Sequence, residues 1–167
     1  MFTFAQFSGL ALGLAAVVLA PLAAQEFRTT EQLRAKFVHE DDPIRKAKLL
    51  PPLGDSEFKD AQTALADDKI PLALDIVKQY FGEAQSVQKA LDAKTPDPEK
   101  HPNGYKQLQI SVRESLRRMD AMIVGLSADD RTPFVDIRGQ LDEMDRHLIQ
   151  QLFPKQPERT APAKPKK

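Results

Sequence analysis

The sequence predicts an all-α fold, an antiparallel helical bundle of four or more helices that ends in a long C-terminal helical hairpin. Two observations carry the class. From Glu26 onward, apolar residues recur three and four positions apart, and no stretch alternates apolar with polar residues as a half-buried strand would. Prolines and capping residues interrupt that pattern at helix-length intervals. A third observation sets the energetics. The chain has no cysteine, so neither disulfides nor zinc–thiolate sites can hold the fold, and an apolar core must.

Thr29 followed by Gln32 is a capping-box signature for a short first helix over about residues 30–39. Asp42 before Pro43 starts a second helix. Pro51-Pro52 is expected to end it, because proline lacks a backbone donor and clashes with the carbonyl four residues earlier. Ser56 then caps a third over about 57–67, with Phe58, Ala61 and Leu65 on one face. Pro71 lies in the first turn of a fourth, over about 70–93. Its stripe of Ala73, Val77, Tyr80, Ala84, Val87 and Leu91 is widened by Leu74, Ile76 and Phe81, an arc broad enough to predict burial on more than one side. The proline-rich segment 94–103 reads as a loop.

The hairpin spans 104–153. Asn103 is the expected cap of its first helix and Gly125 its stop, while Thr132-Pro133 opens the second helix and Pro154 follows its end. The short connection between them predicts antiparallel neighbours. One register then aligns five apolar layers: Ile123 with Ile137, Met119 with Leu141, Leu116 with Met144, Val112 with Leu148, and Leu108 with Leu152. The same register brings Arg113, Arg117 and Arg118 near Asp142, Glu143 and Asp145. Glycine within a helix is costly, so Gly139 suggests a close helix approach or a bend.

The two ends differ from the 25–153 domain. Residues 1–24 carry no Asp, Glu, Lys or Arg, and the run from Gly9 to Ala24 is apolar, with Pro21 near its end. That pattern predicts a secretory signal peptide cleaved near Ala24, hence an exported protein, periplasmic or secreted. The alternative is an uncleaved membrane anchor over residues 4–24, although the apolar run is short for a spanning helix, which takes roughly 20 residues. At the other end, residues 154–167 are rich in proline and lysine and predict a disordered basic tail. Lys155, Arg159, Lys164, Lys166 and Lys167 outweigh Glu158 there, and the rest of the chain is correspondingly acidic. A mildly acidic body does not suggest a nucleic-acid-binding face, and the tail reads either as a solvated extension that aids solubility or as a salt-sensitive arm for anionic polymers or membrane head groups.

No constellation points to catalysis. The serines lack a strand–turn–helix context, and the glycines never cluster into a phosphate-cradling loop. His39 reads as a helix end before the Asp42-Pro43 cap, and His101 as a loop residue. His147, one turn after Glu143, is the best metal candidate, but carboxylate-bridged bundles use Glu-x-x-His from two helices, and here the spacing is longer and occurs once. A non-covalent haem would pair such a histidine with a methionine near the start of the domain, yet Met119, Met122 and Met144 all fall in the hairpin. No cofactor is therefore expected. The stretch AQTALADDKIPLALDIVKQYF resembles one tetratricopeptide unit, with Ala61 and Ala73 in matching places. It lacks that family's leading aromatic, and no second unit follows.

These readings predict an exported, non-enzymatic helical protein that binds another exported protein or assembles with itself. The alternative is a bundle holding a small ligand or metal around His147. Whatever the function, Met119→Asp or Leu141→Asp should abolish the cooperative thermal transition, since each buries an unpaired charge in the hairpin core. Parent-like melting of both variants would overturn the register.

Overall fold

The computed structural model describes residues 29–154. Among them the chain forms five helices and no strand: α1 (Thr30–Val38), α2 (Pro43–Ala66), α3 (Ile70–Lys94), α4 (Asn103–Val124) and α5 (Ala128–Leu152). The apolar segment 1–24 and the basic tail residues Lys155, Arg159, Lys164, Lys166 and Lys167 lie outside the described residues. No helix among the described residues is long and apolar enough to cross a membrane.

Three starts follow the chemistry of their caps. The Thr29 side chain accepts from the Gln32 backbone N–H while the Gln32 side chain accepts from the Thr29 N–H, closing the capping box that opens α1. Asp42 accepts from the Arg45 N–H at 2.8 Å at the start of α2. Ser127 accepts from the Asp130 N–H, so α5 begins at Ala128, several residues before the expected Thr132-Pro133, and Pro133 lies inside the helix. Asn103 is the first residue of α4 and does not cap it: Pro102 holds that position, with no side-chain cap.

The largest departure from the sequence reading is α2. It runs unbroken through Pro51 and Pro52, where two helices were expected. The two prolines withhold the N–H groups that would bond to the Ala47 and Lys48 carbonyls, at a cost of about 3 kcal/mol for an interior proline. Packing on both sides of them outweighs that cost. Ala47, Leu50 and Leu53 before and after the pair, and Phe58, Ala61 and Ala64 further on, form one continuous buried face. Ser56 accordingly caps nothing; its hydroxyl lies 2.6 Å from that of Thr30 in α1.

The α2–α3 turn follows a Schellman pattern, with Lys69 N–H donating to the Ala64 carbonyl and Asp68 N–H to that of Leu65. Asp68 takes the left-handed position at φ 60°, a conformation that aspartate tolerates better than most side chains.

Helix α2 packs against α1, α3 and α4, while α4 packs against α5 and α3 touches both α4 and α5. The predicted α3 stripe from Ala73 to Leu91 is buried at every position. So are Leu108, Val112, Leu116 and Met119 of α4, and Ile137, Leu141, Met144, Leu148 and Leu152 of α5. Ile123 is partly buried. Among the expected charge pairs, Arg113 does meet Asp145, at 3.7 Å. Arg117 pairs with Glu114 on its own helix, and Arg118 reaches across to Asp55 in α2.

Gly139 does not mediate a close approach, because a Cβ added there would meet nothing within 4 Å. Gly54 does. A Cβ there would stand 2.7 Å from the Tyr80 ring, so α2 and α3 can approach this closely only over a glycine. Gly104 similarly faces Leu91. Gly139→Ala should therefore stabilise the fold by about 0.5–1 kcal/mol in urea unfolding, the ordinary helix-interior gain. Gly54→Ala should destabilise it by about 1 kcal/mol, since an overpacking cost of about 1–3 kcal/mol exceeds the same gain. Equal stabilisation by both substitutions would show that Tyr80 yields without cost.

Candidate functional site

His147 and Glu143, the metal candidates of the sequence, both lie on the exposed side of α5. Among the described residues no group of three or more His, Asp or Glu side chains comes together as metal donors. His39 ends α1, with its Nδ1 2.7 Å from the Ala35 carbonyl oxygen, and His101 is exposed in the loop before α4.

Two charged residues are buried among the described residues: Asp145 of α5, which accepts from Gln109 Nε2 at 2.7 Å, and Glu57, which belongs to a cluster the sequence reading did not single out. Glu57 of α2 is fully buried, between α1 and α3. Arg34 of α1 donates from Nη2 to Glu57 Oε1 at 2.6 Å, and its Nε stands 3.4 Å from Glu83 Oε1 of α3. Gln79, one turn before Glu83, lies beside both: its amide donates to Glu83 Oε1 at 3.3 Å and stands against the Arg34 guanidinium. Thr30 of α1 donates to Asp60 Oδ2 at 2.6 Å and flanks the cluster on the α1–α2 side. The remaining oxygens, Glu57 Oε2 and Glu83 Oε2, are buried without a hydrogen-bond partner. Burial pushes the Glu57 carboxyl up to about 8, with the neighbouring Glu83 adding to the shift and Arg34 opposing it. Burial likewise raises Glu83 above the ordinary carboxylate range.

The signal for this cluster was present in the sequence but masked. Glu57 occupies a core position of the stripe Leu50, Leu53, Phe58, Ala61, Ala64, which becomes visible only when α2 is read through its prolines.

A second feature lies on the other flank of α2. A small cavity of about 130 Å³ opens between α2 and α4, lined by Leu50, Pro51, Tyr80, Ile110, Ser111 and Arg118, among others. Tyr80 forms its floor: the hydroxyl donates to the Ser111 carbonyl at 3.2 Å, the ring packs edge-on to Phe58 at 5.1 Å, and burial raises the phenol above its usual range. Ile110 stands half-exposed on the rim. Arg118 closes the cavity, paired with Asp55 and Glu114 while its guanidinium lies over the Phe58 ring. Drug-sized ligands fill roughly 300–1,000 Å³, so this space suits one inserted side chain better than a bound metabolite. A larger depression of about 380 Å³ lies between the α2–α3 and α4–α5 turns and carries Asp68 and Asp130 on its walls.

No protein-family model, curated protein or solved structure matches this chain.

Arg34→Met should lower stability by roughly 2–3 kcal/mol near neutral pH, because it leaves a buried carboxylate without its countercharge. The deficit should widen as pH rises, since the remaining carboxyls then hold protons that the unfolded chain has released. Denaturant titrations at several pH values check both points. Arg45→Met, on a side chain 70% exposed, should leave stability nearly unchanged.

Proposed function

We propose that this chain is an exported, non-enzymatic helical protein that works by contact, docking on another exported protein or on a second copy of itself. The observation that carries this reading is the cavity beside Pro51, with its apolar floor of Leu50 and Tyr80, the half-exposed Ile110, and a rim charged by Arg118, Asp55 and Glu114. An apolar centre with a polar rim is the anatomy of a protein-binding spot, and its size suits an inserted side chain. The ionisable cluster supports the same reading, since Glu57, Glu83 and Arg34 meet between helices instead of lining an open cleft.

The scaffold we propose is an antiparallel bundle closed by the 104–153 hairpin. Side-chain links between α4 and α5 support its register: Arg138 with Asp120 at 2.7 Å, Gln109 with Asp145 at 2.7 Å, and Arg113 with Asp145. The later α4 residue, Asp120, pairs with the earlier α5 residue, Arg138, and the earlier ones, Arg113 and Gln109, with the later Asp145, as antiparallel neighbours require. Export rests on the apolar, charge-free first 24 residues, with cleavage near Ala24.

The test is a photo-crosslinking residue at position 110 in the full chain, expressed in an exporting cell. The expected result is a discrete adduct, either a homodimer or one partner, absent when the crosslinker replaces exposed Gln150 on α5. The recovered protein should begin near Gln25 by intact mass. A strictly monomeric protein with no adduct at position 110 would overturn the docking surface. A product retaining Met1–Ala24 in the membrane fraction would overturn export with cleavage and favour the anchor.

A further inference from the structure

The fold gathers two carboxyl groups and one guanidinium between α1, α2 and α3, with Glu57 fully buried and Glu83 nearly so. Arg34 satisfies Oε1 of Glu57 and stands beside Oε1 of Glu83, which leaves both Oε2 atoms buried and without a partner. The two carboxyls converge on one guanidinium, at 2.6 Å from Glu57 Oε1 and 3.4 Å from Glu83 Oε1. Two ionised carboxylates cannot bond to each other, as both only accept. Two negative charges beside one positive charge would also leave a net charge inside the protein. A single proton removes both faults, giving each orphan oxygen a partner and the cluster zero net charge.

We propose that Glu57 and Glu83 share one proton between their Oε2 atoms, forming a carboxyl–carboxylate bridge that joins α2 to α3 under the Arg34 clamp of α1. Glu57 is the donor, since it is fully buried while the Glu83 side chain keeps 11% exposure and is the better place for the remaining charge.

The surroundings support this assignment. From α1 only Arg34 reaches the pair, and Thr30 beside it bonds to Ser56 and Asp60. From α3 come Gln79, whose amide reaches Glu83 Oε1 and leaves Oε2 free, and Tyr80, whose hydroxyl is held by Ser111. From α4 comes Arg118, which is paired with Asp55 and Glu114 and so does not neutralise the second carboxylate.

The bridge makes cohesion pH-dependent with a definite sign. Its carboxyls hold their proton more tightly folded than unfolded, so the stabilisation is complete below the ordinary carboxylate value of 4.5 and is lost as pH rises through about 8. The bundle should loosen toward alkali at this joint, where many proteins loosen toward acid.

The experiment follows the side-chain carboxyl carbons of the full, unmodified chain, labelled on glutamate, by NMR across a pH titration. The expected result is one glutamate pair titrating together, with a step well above the other glutamates that disappears in both Glu57→Gln and Glu83→Gln. Glutamine at 57 can donate to Glu83 and accept from Arg34, so Glu57→Gln should fold and should flatten the fall of Tm with rising pH. Ordinary titration of every glutamate in the unmodified chain would overturn the bridge. So would an unchanged alkaline fall of Tm in a folded Glu57→Gln variant.

Discussion

The contact of Gly54 with the face of Tyr80 governs how this domain is assembled. With no side chain at 54, α2 comes close enough for the Tyr80 ring to fill the space between α2 and α3. From that position Tyr80 packs edge-on against Phe58 and sends its hydroxyl across to the Ser111 carbonyl of α4. Phe58 in turn carries the Arg118 guanidinium, which ties α4 back to Asp55 of α2. One missing Cβ thus sets the spacing of three helices, and the small cavity beside Pro51 is the gap left over where those helices diverge.

The opposite flank of α2 meets a different constraint. Helix α1 is short and adds only Leu33 and Phe37 to the core; its backbone runs close to α2, and Arg34 reaches past it to α3. Nine residues cannot hold a helix in place by propensity, since isolated helices need roughly 12–15 residues even in favourable sequences. Its place therefore depends on the two apolar anchors, on Lys46 over the Phe37 ring, and on Arg34 reaching the buried carboxyls. The polar cluster orients α1 more than it stabilises the whole, because the gain from a buried ion pair is largely offset by desolvation. At the far end of α3 a milder version recurs. The Tyr105 hydroxyl lies 2.9 Å from Asp92 and 3.0 Å from the Thr95 carbonyl oxygen, and burial together with Asp92 pushes the phenol up to about 12. It fixes the start of α4 against the end of α3.

Much of this architecture was legible in advance, for physical reasons. The α3 stripe and the α4 and α5 core positions are apolar at helical spacing over long, uninterrupted stretches, and burial follows such spacing almost without exception here. The Thr29 box and the Asp42 cap are short-range hydrogen bonds that need no tertiary partner. Misreadings occurred where local chemistry was outvoted. Pro51-Pro52 and Thr132-Pro133 are reasonable helix boundaries by backbone chemistry alone, yet a buried apolar face continues across the first pair, and the Ser127 cap starts α5 ahead of the second. Gly139 and Gly54 look equivalent as helical glycines; only the position of Tyr80 separates them.

By itself, then, the sequence determined the all-helical class, the absence of cysteine from the core and the core stripes of α3, α4 and α5, because periodicity, capping and composition act within a few residues of chain. Tertiary structure alone decided that α2 is one helix, that Gly54 and Gly104 are the close contacts, and that Arg34, Glu57 and Glu83 meet. Those outcomes depend on residues 13 or more positions apart arriving at one point, where the energy of packing and of charge balance is fixed by neighbours the local sequence does not contain.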